Sequence, residues 1–203
     1  MLRPMDTAPN PTVDPAVRER HDLAPCEPRI EGVVIRALTR HGDSRGGFTE
    51  TYRQEWFDGP AMLQGNRSDS AAGTIRGLHF HRRQADYWLC LKGTLLACLF
   101  DARPGSPTEG VTQGVVLTDA TDAGIYIPPG VAHGFAALED ATLTYLVDNY
   151  YDGGDEFGVR WDDPEVAMDW GIVDPILSGR DAECETLAQL REAGSMPAPF
   201  SAG

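Results

Sequence analysis

Lysine is almost absent from this chain: Lys92 is the single lysine among 17 Lys and Arg in 203 residues. Positive charge is scarce altogether, since 31 Asp and Glu leave a net charge of −14. That balance argues against nucleic acid or an anionic membrane surface as the main partner. It leaves room for an anionic small molecule, because a few arginine forks in a pocket suffice to hold phosphate. Cysteine is sparse too: Cys26, Cys90, Cys98 and Cys184 form no CxxC pair, and Cys90 and Cys98 sit in apolar runs that read as buried thiols. No apolar run approaches the ~20 residues that span a bilayer. The opening MLRPMDTAPNPTVDPAVRERHD has no apolar signal core, so a cytoplasmic location is expected. Internal repeats are lacking, and helical periodicity is weak until the end of the chain.

What is there is strand-like. Residues 1–28, rich in Pro, Asp, Ala and Arg, read as an arm or tail, laid on a partner subunit if it is ordered. From Ile30, short β-rich runs alternate with Gly and Pro: VVIRAL, GGFTETYR, TIRGLHFH, DYWLCLKGTLLACLFDA, GVTQGVVLT, AGIYIPPG and TLTYLVDNYY. This spacing predicts one all-β domain over 29–194, an antiparallel sandwich or barrel, followed by a tail over 195–203. In DYWLCLKGTLLACLFD the apolar residues are nearly continuous, which predicts strands covered on both faces, with Gly93 at the turn between them. A short helix is expected over Asp181–Ala193, stopped by Gly194, with Asp181 placed to act as its N-cap.

Three histidines raise the chemical question. His79 and His81 are two apart on one strand, so they share a face. The rigid IPPG corner at 127–130 places His133 near the same barrel mouth. Three imidazoles converging there would suit a metal-dependent cupin, but Gln84 stands where its carboxylate belongs and the spacing to Asp86 differs. Acid–base work is the other use, because histidine exchanges a proton near neutral pH when a carboxylate orients it.

The ordered set DSRGGFTETY (43–52), QGNRSDS (64–70), RGLHF (76–80), GSPT (105–108), IPPGVAHGF (127–135), YLVDNYY (145–151) and LSGRD (177–181) resembles the dTDP-4-dehydrorhamnose 3,5-epimerases, from about Ile30 to Leu187. The resemblance implies a cupin-type jelly roll, a homodimer with strands shared across its interface, a nucleotide-sugar substrate and neither metal nor cofactor. It implies that His79 is the base, Asp181 the carboxylate orienting it, and Tyr145 the acid on the far side of the sugar. By the same resemblance Arg45, Glu50, Gln64, Asn66, Arg76 and His133 line the nucleotide-sugar site, and Tyr151 and Glu156 lie near the nucleotide.

One position departs from the pattern. Where the family carries a lysine that steadies the enolate oxygen, this chain has Asp86. A carboxylate there has the wrong sign, and an oxyanion donor is worth about 10²–10³ in rate. Arg82, Arg83 or His81 could supply the missing donor, or a protonated Asp86 could itself donate. A changed substrate or epimerisation at C3 alone is equally compatible. Two other readings stay open at this level: a metal-dependent cupin using His79, His81 and His133, and a sugar-nucleotide binding protein without catalysis.

Overall fold

The computed structural model describes residues 10–201. Two sheets pack face to face. The larger has the order β14 (Phe157–Gly158), β7 (Ile75–Phe80), β12 (Val131–Ala137), β9 (Thr94–Asp101), β10 (Thr112–Thr118) and β2 (Asp22–Leu23). The smaller runs β3 (Val34–Ala37), β11 (Ala123–Ile127), β8 (Asp86–Lys92), β13 (Ala141–Val147) and β6 (Gln64–Ser70). Two small sheets complete the set: β1 (Thr12–Val13) with β15 (Ile172–Val173), and the hairpin β4 (Arg40–Asp43) with β5 (Gly46–Thr49). Neighbours pair antiparallel except β10 with β2, which is the jelly-roll sandwich the strand pattern predicts.

The continuous apolar run of β9 has its reason here. All eight residues are buried. Leu95, Ala97 and Leu99 face the smaller sheet with Val115, Ile125, Phe135 and Leu143. The alternate residues Leu96, Cys98 and Phe100 face outward, under Val17, Trp170, Leu187 and Leu190. Gly93 makes the turn into β9 at φ +74°, and a Cβ there would lie 2.4 Å from the Asp140 carbonyl oxygen.

Both ends differ from expectation. Residues 10–28 pack on their own barrel: β1 pairs with β15, β2 with β10, and Val17 is buried. Residues 1–9 of the expected arm lie outside the described residues. At the other end Met196 packs against the core, and the Phe200 amide donates to the Pro104 carbonyl. The predicted helix is two: α1 (Gly179–Ala182) and α2 (Leu187–Glu192). Ser178, not Asp181, caps α1, while Thr186 and Gln189 close a reciprocal capping box on α2. A single helix would carry Asp181 away from the barrel; the break keeps it buried against β7. Among the described residues no helix is long and apolar enough to cross a membrane.

The GSPT motif serves the fold. Asp101, wholly buried at the end of β9, accepts from Arg103 Nε and Nη2 (both 2.8 Å), Ser106 Oγ (2.6 Å) and Thr108 Oγ1 (2.7 Å). Burial alone would push its pKa up, but these donors hold it below the usual carboxylate value.

Candidate active site

A cavity of about 470 Å³ opens between the sheets, within the range of small-molecule sites. His79, Arg76, His81 and His133 approach it from the larger sheet and its edge; Gln64, Asn66, Asp86, Trp88 and Tyr145 line it from the smaller; Tyr151, Glu156 and Arg180 stand among its other lining residues.

His79 is positioned by backbone contact. It is the cross-strand partner of His133 on β12, and a bulge follows between His133 and Phe135. Beside it Gly77, at φ +123°, presses on Gly134: a Cβ on Gly77 would lie 2.6 Å from the Gly134 Cα, and one on Gly134 would lie 2.7 Å from the Arg76 carbonyl oxygen. Only glycine permits that approach.

The His79 Nε2 lies 2.6 Å from Asp181 Oδ1. Burial works against the Asp181 charge, but the bond and charge of His79, with Ser178, hold its pKa low on balance. An ionised carboxylate accepting from Nε2–H leaves the Nδ1 lone pair as the base. Asp181→Asn is therefore expected to lower proton abstraction about 10²–10³-fold while leaving the circular dichroism spectrum unchanged; a rate near that of the parent would remove Asp181 from this role.

Tyr145 stands on the opposite sheet, between Asn66 and Trp88 across its strand pairs. Burial, with the carboxylates of Asp86 and Glu156, pushes its pKa up. It thus keeps its proton at neutral pH, as a general acid must. Around the pair, Arg76 Nε donates to Ser70 Oγ (3.0 Å) and Gln64 Nε2 to Asn66 Oδ1 (2.9 Å), while Arg180 pairs with Glu156. Tyr151 is 71% exposed at the mouth, where the larger part of a ligand would emerge.

In the single chain, other candidates fall away from this cavity. Arg45 and Glu50 lie outside this cavity: Arg45 pairs with Asp43 on the exposed hairpin, and Glu50 with Arg53 just beyond it. Arg82 and Arg83 do not supply a cation. Arg82 lies over the Phe157 ring and donates to the Met196 carbonyl, and Arg83 pairs with Asp152. Asp86 is not a lone donor either, since its two oxygens accept from Gln84 Nε2 (2.9 Å) and Trp88 Nε1 (3.1 Å). The metal set His79, His81 and His133 is also not what the fold brings together, since His79 is not among the ligand atoms that converge. Instead, ligand atoms of His81, Asp86 and His133 lie within 4.8 Å of one another, all three residues buried. Sequence spacing had set Asp86 aside; β8 returns it to face the two histidines from the opposite sheet. Arg180 was missed, although it is the neighbour of Asp181 in LSGRD.

Comparison with known proteins follows the same line. The dTDP-4-dehydrorhamnose 3,5-epimerase family model matches residues 27–189. A dTDP-4-dehydrorhamnose 3-epimerase of Streptomyces niveus is 40% identical over 177 residues, covering 83% of this chain and 86% of that protein. A 4-keto-6-deoxy sugar epimerase from the novobiocin biosynthetic gene cluster of Streptomyces spheroides superposes with a TM-score of 0.81 at 38% identity, covering 85% of this chain and 91% of the other. A 3'-monoepimerase from Streptomyces bikiniensis in complex with dTDP-quinovose gives a TM-score of 0.77 at 32% identity, covering 88% and 92%. The motifs, the jelly roll and a His79–Asp181 pair facing Tyr145 thus meet in one conclusion: this chain belongs to the dTDP-4-dehydrorhamnose 3,5-epimerase family.

Proposed function

We propose that the chain epimerises a dTDP-linked 4-keto-6-deoxyhexose at C3, C5 or both. The observation that carries this is the His79–Asp181 pair on one sheet facing Tyr145 on the other across a single cavity. Inversion at a carbon needs a base on one face and an acid on the other. The C4 ketone acidifies both neighbouring carbons, so His79 Nδ1 takes a proton, an enolate forms, and Tyr145 returns a proton to the opposite face. Arg76 and Arg180 suit the diphosphate, and the exposed ring of Tyr151 suits the thymine end. A His79–Asp181 pair facing Tyr145 supports catalysis over a purely binding role.

The same reading makes the molecule a homodimer. The β4–β5 hairpin forms a sheet of its own, with Phe48 69% exposed, and would carry Arg45 and Glu50 to the partner's pocket. Four free cysteines suit a reducing cytoplasm.

The test is NMR of dTDP-4-keto-6-deoxyglucose with the purified protein in D₂O. Deuterium entering at C3 or C5 supports the reading and counts the centres; no exchange overturns it. Tyr145→Phe is expected to keep exchange but return the starting configuration, because abstraction survives while delivery to the far face is lost. Normal inversion by that variant would remove Tyr145 from the acid role.

A further inference from the structure

We propose that Asp86 selects a sugar carrying an ammonium group on C3, so that the substrate is a dTDP-linked 3-amino-4-keto-6-deoxyhexose. The proposal rests on the epimerase reading and names its substrate class. It starts from an imbalance of charge. Asp86 is 3% exposed and lines the cavity, and among the described residues its oxygens accept from two neutral donors, Gln84 Nε2 and Trp88 Nε1. No lysine or arginine of the described residues pairs with it. His133 Nε2, 3.8 Å from Asp86 Oδ2, lies beyond hydrogen-bond reach. Arg76 and Arg180 line the same cavity, but Arg76 Nε donates to Ser70 and Arg180 pairs with Glu156. A buried carboxylate is costly unless a cation meets it. At Asp86 the open side is the cavity, so the cation comes with the ligand.

An ammonium group suits the place better than a hydroxyl. His133 Nδ1 lies 2.9 Å from the Val131 carbonyl oxygen, which can only accept, so Nδ1 carries the ring proton and Nε2 offers a lone pair. Asp86 Oδ2 and this lone pair are both acceptors. An ammonium brings three N–H donors and a full charge; a hydroxyl brings one donor and no charge.

The place of the amine on the sugar follows from the chemistry. Asp86 and Trp88 share a face of β8, and Trp88 is the cross-strand partner of Tyr145. What Asp86 binds therefore lies beside the acid, next to the reacting carbons. Of the two carbons flanking the ketone, C5 bears the methyl group and the ring oxygen, which leaves C3 to carry the amine. There the ammonium stands one carbon from the enolate oxygen and supplies positive charge that the chain does not: Lys92, the single lysine, is absent from the cavity lining. Atoms and electrons balance. His79 takes the proton beside the ketone, the C–H pair becomes the enolate double bond, and the carbonyl pair moves onto oxygen. Tyr145 returns a proton to the opposite face, and the ammonium keeps its own protons throughout.

The test is calorimetric titration with two stable analogues that carry a hydroxyl in place of the ketone, dTDP-3-amino-3,6-dideoxyglucose and dTDP-6-deoxyglucose. The amino sugar is expected to bind the parent about 10–100-fold more tightly, the usual worth of a hydrogen bond between charged groups. Asp86→Asn should erase that preference and Asp86→Lys should reverse it, in variants whose circular dichroism matches the parent. Equal binding of the two analogues by the parent, or a preference that survives in Asp86→Asn, overturns the proposal. Exchange in D₂O is then compared for the two ketosugars. The 3-amino compound is expected to exchange about 10-fold or more faster than dTDP-4-keto-6-deoxyglucose. Equal or slower exchange of the amino compound overturns its role at the enolate while upholding the epimerase reading. If neither exchanges, the epimerase reading fails, and the titration still decides what Asp86 selects.

Discussion

His79→Gln is expected to stop deuterium from entering the sugar ring, with a loss of about 10²–10⁴-fold or more in exchange rate. Glutamine keeps a polar side chain beside Asp181 but has no basic nitrogen, so abstraction fails while binding persists. The measurement is the NMR exchange assay together with a dTDP titration. Parent-like dTDP affinity with no exchange fits a base that does nothing else. Loss of both would mean that the β7 wall has collapsed, and normal exchange would place the base elsewhere. The contrast with Tyr145→Phe gives the pair its force: one variant blocks removal of the proton, the other only its delivery to the far face.

Asp101→Ala is expected to destabilise the fold by about 3–5 kcal/mol, the usual result of leaving one partner of a buried ion pair alone. Arg103, nearly as buried as Asp101, would keep its charge without its carboxylate. Denaturant unfolding checks this; a loss under about 1 kcal/mol would mean that water replaces the carboxylate and the pair is an ordinary surface bridge. The pH dependence has a definite sign. Asp101 holds its charge more tightly folded than unfolded, so its contribution is fully present above its unfolded pKa near 4. It is lost as the pH falls through the lower folded value. The parent should therefore lose stability on acidification below about pH 4, and Asp101→Asn should show a shallower acid limb.

Much of the fold was legible in the sequence because it is written in local terms. The unbroken apolar run of β9 states that both faces are covered, and it does not say by what: one cover comes from Val17 and another from Leu187 and Leu190, far away in the chain. The barrel histidines were legible by period-2 alternation, and the motifs named His79, Asp181 and Tyr145, the first two of which the fold joins and the third of which it sets across the same cavity. GSPT, a recognition signal in sequence, turns out to hold Asp101. Asp86 shows where linear spacing misleads. Five residues beyond His81 it looks displaced, yet the chain leaves β7, turns with the Arg82 and Arg83 amides donating to the Asp155 carboxylate, and re-enters in β8, returning the Asp86 carboxylate beside His81 and His133. The helix boundary was missed because Ser178 and Thr186 each offer a cap, and two caps eight residues apart make two helices.

The contact between Gly77 and Gly134 has a consequence for redesign. Since the base-bearing strand is gauged by backbone against backbone, the place of His79 does not depend on the side chains of the facing wall. Gln64, Asn66 and Ser68 on that wall can be randomised to admit other sugars without moving His79. Substitution at either glycine would do the reverse, leaving a pocket of unchanged lining whose chemistry no longer meets its substrate.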